Sequence, residues 1–172
     1  MAGLIKQVGE NRYRETFGRY LEEFKVGDTY EHRPGRTITE AENSMFTLLT
    51  MNQHPAHFDK AYAAKSEFGQ IIVNSGYTLP LVLGMSVSDI SQKAIANLGW
   101  SDIKLVKPVF IGDTLYAEST VLEIRESKSR PTQGIVTVET RGIKEDGTLF
   151  LSFVRSVLIP KKGHAVDDKA NY

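Results

Sequence analysis

The apolar positions divide the chain into a helical first half and a stranded second half. Residues 74–92 carry Leu79, Leu81, Val82, Leu83, Met85, Val87 and Ile90, apolar around most of a helical circumference. A helix with that much apolar surface has to be wrapped by other structure. Pro80 inside it removes one donor and kinks it unless it lies in the first turn. Beyond the helix, residues 104–110, 114–124, 134–141 and 148–159 read as strands. The run Ile135-Val136-Thr137-Val138-Glu139-Thr140 is largely β-branched and is bounded by Gly134 and Gly142. Glu145-Asp146-Gly147 predicts a hairpin turn, because Asp-Gly tolerates the positive φ such turns require.

In the first half, residues 29–36 read as an extended segment after Val26-Gly27-Asp28. Thr37-Ile38-Thr39-Glu40-Ala41-Glu42 predicts a helix start, with Thr39 as cap and Glu42 three residues on closing the box. That short helix runs through Phe46, Leu48 and Leu49 into a loop over residues 51–59, broken by Pro55. Residues 1–18 are polar and irregularly patterned, and residues 161–172 read as a solvated tail. The whole chain, 1–172, is therefore expected to be a single domain with its folded core over about 18–160. A long buried helix followed by consecutive antiparallel strands predicts an α+β fold with the sheet curled around the helix. Such a sheet leaves an edge strand free, and pairing between two copies would cover it, so a homodimer is expected.

Composition narrows the function classes. A chain of 172 residues is one ordinary domain and falls short of the roughly 250 typical of an α/β barrel. The 21 Lys and Arg balance the 21 Asp and Glu, which argues against nucleic acid as the main ligand, since phosphate neutralisation needs a surplus of cations on some face. No cysteine is present, which removes disulfides, thiolate nucleophiles and sulfur-ligated metals. No stretch approaches the roughly 18 apolar residues of a membrane span, and the N-terminus lacks a signal peptide's apolar run, so a cytoplasmic address is expected.

With thiols absent, histidine is the natural general base near neutral pH. His32 alternates with charged neighbours on a predicted strand and His164 sits in the tail, and both read as solvated. His54 and His57 share one loop, Asn52-Gln53-His54-Pro55-Ala56-His57-Phe58-Asp59. Three readings compete for it: a connection whose side chains cap neighbouring helices, a metal site from His54, His57 and Asp59, or a proton-transfer site with His57 as base. The metal reading is the weakest on geometry, because His-Pro-x-His has no helical register to aim both rings at one point.

This loop resembles the signature of the MaoC-like, (R)-specific enoyl-CoA hydratase family, a hotdog-fold group whose motif reads Gly-Asp-x-Asn-Pro-Leu-His, then an Asp and an Ala. Met51-Asn52-Gln53-His54-Pro55-Ala56-His57 occupies that stretch, and Asp59 and Ala63 follow. Supporting matches are Phe24-x-x-Gly27-Asp28 and Pro108-Val109-x-x-Gly112-Asp113-Thr114-Leu115, so the resemblance spans residues 18–160. It implies a hotdog fold, an acyl-CoA thioester as substrate, no cofactor beyond the coenzyme A of that substrate, and water addition to an enoyl-CoA. The departure is chemical. The family's catalytic Asp position is Asn52 here and its Asn position is His54, and an amide cannot accept a proton as a base. A substrate that carries its own carboxylate offers a reason: two like charges about 4 Å apart repel by roughly 4 kcal/mol at an effective dielectric near 20. The stretch Thr47-Leu48-Leu49-Thr50-Met51-Asn52, with Arg125-Glu126-Ser127-Lys128-Ser129-Arg130-Pro131 later, resembles a branch acting on branched C5 dicarboxylyl-CoA esters such as mesaconyl-CoA and itaconyl-CoA.

The resemblance implies His57 as acid/base, Asn52 holding water or thioester, and a backbone N–H at the start of the central helix stabilising the enolate oxygen, which falls at Ser75 with Gly76 adjacent. Asn74 and Ser75 also read simply as helix caps, and the two roles can coexist. His54, Asn74, Gly76, Arg33 and Arg130 are the expected substrate contacts. Two rival readings stand beside the hydratase: a hotdog thioesterase, for which Glu67 is the only nearby carboxylate, and a non-catalytic acyl-CoA binding subunit, suggested by the missing Asp.

Overall fold

A computed structural model describes residues 5–170; residues 1–4 and 171–172, the outer ends of the two predicted tails, lie outside the described residues. Strands β1 (Ile5–Gly9) and β2 (Arg12–Glu15) form a hairpin of their own where irregular chain was expected. Then come β3 (Thr29–Thr37), α1 (Glu40–Leu49), α2 (Lys60–Ala63) and α3 (Ser75–Met85). Four long strands follow, β4 (Ala96–Leu105), β5 (Thr114–Glu126), β6 (Gln133–Lys144) and β7 (Leu149–Pro160), and finally α4 (Val166–Ala170). The main sheet is antiparallel throughout in the order β3-β5-β6-β7-β4. It wraps α3, which lies against β3, β5 and β6, giving the α+β hotdog architecture.

The core forms because β5 and β6 alternate buried and half-buried residues over most of their length, turning every second side chain toward α3 or toward the cluster of Leu21, Phe24 and Ile90. Val82 of α3 meets Leu115, Ala117, Phe150 and Phe153, and all are buried. Each such apolar side chain contributes about 1.5–3 kcal/mol when fully buried. The helix comes so close to β6 that a Cβ on Gly142 would stand 2.5 Å from Phe150 and 2.9 Å from Val82.

Three sequence expectations change. The central helix is shorter than residues 74–92: α3 ends at Met85, and after Ser86 the chain widens into a π-type turn over Val87–Ser91. The change coincides with Ser86, whose hydroxyl donates back to the Leu83 carbonyl at 2.7 Å and accepts from the Arg155 guanidinium at 3.0 Å. The strand expected at residues 104–110 is instead β4 over Ala96–Leu105. It is an almost wholly exposed edge with two register shifts, so it carries no alternation to read. The segment after residue 160 is not a free tail either: Ala165 is buried, Lys93 pairs with Asp167 at 3.0 Å, and the Tyr20 hydroxyl donates to Asp168 at 2.7 Å.

His32 is the clearest correction, since it is fully buried rather than solvated. Its neighbours along β3 face water, but the ring points inward. Nδ1 lies 2.8 Å from the Asp89 carboxylate in the π turn, and Nε2 lies 2.8 Å from the Ser119 hydroxyl. A carboxylate only accepts, so Nδ1 carries the proton, Ser119 donates to Nε2, and Thr140, 2.8 Å from Ser119, donates in turn. Burial lowers the His32 pKa below its ordinary value near 6.5, outweighing Asp89, which pulls upward, and assisted by the nearby Arg155 and Arg19. A depressed value means the unfolded chain takes the proton first. This contribution to stability is therefore complete above about pH 6.5 and is lost as pH falls toward the lower folded value. Thermal melts should show Tm falling below about pH 6.5 with a shallower slope in His32→Gln; equal slopes in the two proteins would remove His32 as the cause.

Candidate active site

The site is built where the loop after α1 folds against the start of α3. Thr39 caps α1, with the Glu42 carboxylate accepting from the Thr39 N–H at 3.0 Å, as the sequence predicts. Glu42 also pairs with Arg36. The helix ends as Met51 takes a positive φ of 56° and the Asn52 N–H donates to the Thr47 carbonyl at 3.0 Å. Local hydrogen bonds then shape the loop. The Asn52 side-chain oxygen accepts the His54 N–H at 2.9 Å, and His54 Nδ1 accepts the Ala56 N–H at 3.2 Å. Pro55 opens the 3-10 turn Pro55–His57, where its missing N–H costs nothing. Asp59 accepts from the Tyr62 N–H at 3.0 Å as the N-cap of α2.

Two imidazoles sit side by side in opposite tautomers, their ring centres 5.7 Å apart. His57 Nδ1 lies 3.0 Å from the Ile72 carbonyl. A carbonyl has no proton to give, so Nδ1–H donates and the neutral ring keeps its lone pair on Nε2. In His54 the Nδ1 lone pair is taken by an amide, which leaves the proton on Nε2. His57 therefore presents a base and His54 presents a donor.

Ile72 that orients the ring is itself fixed. Its N–H donates to the Ala56 carbonyl at 3.2 Å, and it bridges to Phe110, while the Val73 N–H donates to the Val109 carbonyl at 2.8 Å. The next residue starts α3. Asn74 is 5% exposed and its side chain accepts the Gly76 N–H at 2.9 Å, while the Tyr77 and Thr78 N–H groups donate to the Asn74 carbonyl. Among the first-turn amides of α3, only the Ser75 N–H has no partner among the described residues. It stands at the positive end of the helix dipole.

His57 and Ser75 line one cleft of about 240 Å³, together with Thr78, Phe68, Phe150 and Lys107. The walls are mostly apolar, and Lys107 is the one cationic side chain on them among the described residues. A base and a free backbone donor facing one apolar cleft can activate water and stabilise an oxyanion.

The predicted site residues fall into three groups. His57 and Ser75 meet in the cleft. Asn52 and His54 shape the loop beside it without lining it, and the Gly76 N–H is taken by the Asn74 side chain. Arg33 and Arg130 lie elsewhere: Arg33 stacks 4.6 Å from the Tyr116 ring centre and pairs with Glu31, and Arg130 is exposed in the β5–β6 connection. The buried contacts of two residues of α1, Asn43 and Thr47, escaped the sequence reading. Asn43 donates to the His57 carbonyl at 2.7 Å and accepts the Asn74 N–H at 2.8 Å, while Thr47 accepts from the Asn74 side chain at 3.2 Å. The available signal was a polar i, i+4 pair on one helix face.

Comparison with known proteins agrees with this geometry. The family model for mesaconyl-CoA hydratase matches residues 6–171. A mesaconyl-CoA hydratase of Cereibacter sphaeroides is 36% identical over 148 residues, which are 86% of this chain but 43% of that protein. The chain thus spans less than half the length of this curated relative. Among solved structures, a MaoC-like dehydratase from Rhodospirillum rubrum superposes with a TM-score of 0.75 at 26% identity, covering 84% of this chain and 99% of that one. A Mycobacterium tuberculosis protein with a double hotdog fold shares the fold at a TM-score of 0.78 and 21% identity, over 87% of this chain and 47% of the other. On the match from residue 6 to 171 and the shared fold, the chain belongs to the mesaconyl-CoA hydratase family of MaoC-like hotdog proteins.

Proposed function

We propose that this protein adds water reversibly to an enoyl-CoA thioester, and that the acyl group is a branched C5 dicarboxylyl unit of the mesaconyl-CoA or itaconyl-CoA kind, giving methylmalyl-CoA or citramalyl-CoA. The observation that carries the reading is that His57, whose Nε2 has no partner among the described residues, and Ser75, whose N–H likewise has none, line one cleft. In the forward direction His57 Nε2 takes a proton from water and the hydroxyl oxygen bonds to the β carbon. The C=C electrons move to the thioester oxygen, where the Ser75 N–H meets the enolate charge. The imidazolium then returns its proton to the α carbon, so water is consumed and the base is restored. No step needs a metal or a cofactor apart from the coenzyme A of the substrate.

Asn52 supports the dicarboxylyl reading. An amide at this position brings no negative charge to a substrate that already has one, and Lys107 on the cleft wall offers a positive charge to an anionic ligand. A homodimer is part of the same proposal. Edge strand β4 leaves Leu98, Trp100, Ile103 and Leu105 exposed, and Leu105 also borders the cleft, so pairing of β4 with a second copy covers apolar surface beside the site.

With mesaconyl-CoA or itaconyl-CoA, the enoyl-thioester absorbance should disappear without release of free thiol; free coenzyme A would instead identify a thioesterase, and tight binding without turnover a carrier. His57→Ala should lower kcat at least 100-fold, and a variant retaining most of its activity would refute the base. Asn52→Asp should move the ratio of kcat/KM values toward crotonyl-CoA and away from the dicarboxylyl esters. An unchanged ratio would count against the charge argument.

A further inference from the structure

We infer that Asn43, on α1, is the positioning residue that holds the base and the oxyanion donor in one fixed geometry. The inference rests on the proposed roles of His57 and Ser75. Asn43 is fully buried, and its two amide ends are both used across segments far apart in sequence. Nδ2 donates to the His57 carbonyl at 2.7 Å, and Oδ1 accepts the Asn74 N–H at 2.8 Å. The orientation of the amide follows from the partners, since a carbonyl only accepts and a backbone N–H only donates.

The consequence for the site is specific. His57 is held at two points: its ring by the Ile72 carbonyl, and its backbone by Asn43. The amide that presents the oxyanion donor is one peptide away from the amide Asn43 holds, because Asn74 directly precedes Ser75. One side chain therefore spans from the residue carrying the base to the residue preceding the donor. Thr47, one turn later on α1, receives the Asn74 side chain at 3.2 Å, and that side chain takes the Gly76 N–H, so that the first free amide of α3 is the one at Ser75. No other side-chain type of this size does the same work. Asp has no donor for the His57 carbonyl, and Leu has neither donor nor acceptor and leaves two buried backbone groups unpaired. Misplacement of reacting groups by about 1 Å costs on the order of 100-fold in rate, so holding such a spacing has kinetic weight.

The test uses Asn43→Asp, which preserves shape and the acceptor toward Asn74 and deletes the donor toward His57. With the enoyl-CoA ester that the wild-type protein turns over fastest, kcat at pH 7.5 should fall 10- to 100-fold with KM within threefold. As pH is lowered, the deficit should shrink, because the introduced buried carboxyl takes up a proton and regains an O–H donor toward the His57 carbonyl. A merely structural role would lower Tm without that pH-dependent recovery. If Asn43→Asp does not fold, Asn43→Ser is measured by the same kcat and KM criterion. A kcat loss below tenfold, a loss carried by KM alone, or a deficit in the Asp variant independent of pH overturns the inference. His57→Ala measured in parallel separates the two claims: an active His57→Ala removes the base itself, whereas an inactive His57→Ala beside a fully active Asn43 variant removes only the role of Asn43.

Discussion

The geometry of the candidate site depends on one hydrogen bond, the one from His57 Nδ1 to the Ile72 carbonyl. Because the Ile72 carbonyl can only accept, the proton of the neutral ring sits on Nδ1 and the lone pair is left on Nε2. Everything nearby serves that bond. The 3-10 turn opened by Pro55 sets the direction of the ring, the bridge from Ile72 to Phe110 ties the accepting carbonyl to the chain that leads into β5, and the same segment runs straight into α3. The His57 ring is thus positioned by backbone groups of its own turn and of the segment that leads into α3. Within this polar loop the Asn52 oxygen, His54 Nδ1, the His57 carbonyl and the Asp59 carboxylate are each fastened to a neighbour by a hydrogen bond.

The central helix shows the same economy at both ends. Its middle is apolar and packs on the sheet, while each terminus is fastened by buried polar groups that apolar packing alone would not align. At the N-terminus these are Asn43, Thr47 and Asn74. Beyond the C-terminus, Arg155 is 2% exposed and donates to Ser86 and Ser91, and Asp89 receives His32. Burial lowers the Arg155 pKa to about 10, so it stays charged at neutral pH. Its Nε has no hydrogen-bond partner among the described residues, so its hold on this end of the helix rests on the two terminal nitrogens. Register of the helix along the sheet is therefore set by hydrogen bonds, and its attraction to the sheet by area.

Much of this was legible in the sequence where local chemistry decides structure. The capping box of Thr39 and Glu42, the Asp-Gly turn with Gly147 at a φ of 85°, and the alternating strands β5 and β6 all follow short-range rules that tertiary packing did not override. The motif around His57 marked the loop that reaches the cleft because its residues are contiguous. What was hidden depended on partners distant in the chain. His32 sits among charged neighbours yet meets Asp89 and Ser119, which lie 57 and 87 residues away. Strand β4 has no buried face, so nothing in its pattern repeats. Helix α1 misleads most directly: it exposes Met45, Leu48 and Leu49 and buries Asn43 and Thr47, so hydrophobic periodicity assigns its inner face to the wrong side.

That inverted helix has a thermodynamic signature. Apart from Phe46, whose ring lies 5.2 Å from that of Tyr77, α1 is docked by amide and hydroxyl contacts rather than by methyl groups. Detaching it in the isolated chain uncovers little apolar area, and so little change in heat capacity accompanies the event. The free energy of such a local opening varies almost linearly with temperature, without the curvature that governs the wrapped sheet. On warming, the hold on the loop that carries His57 and the integrity of the core therefore follow different laws.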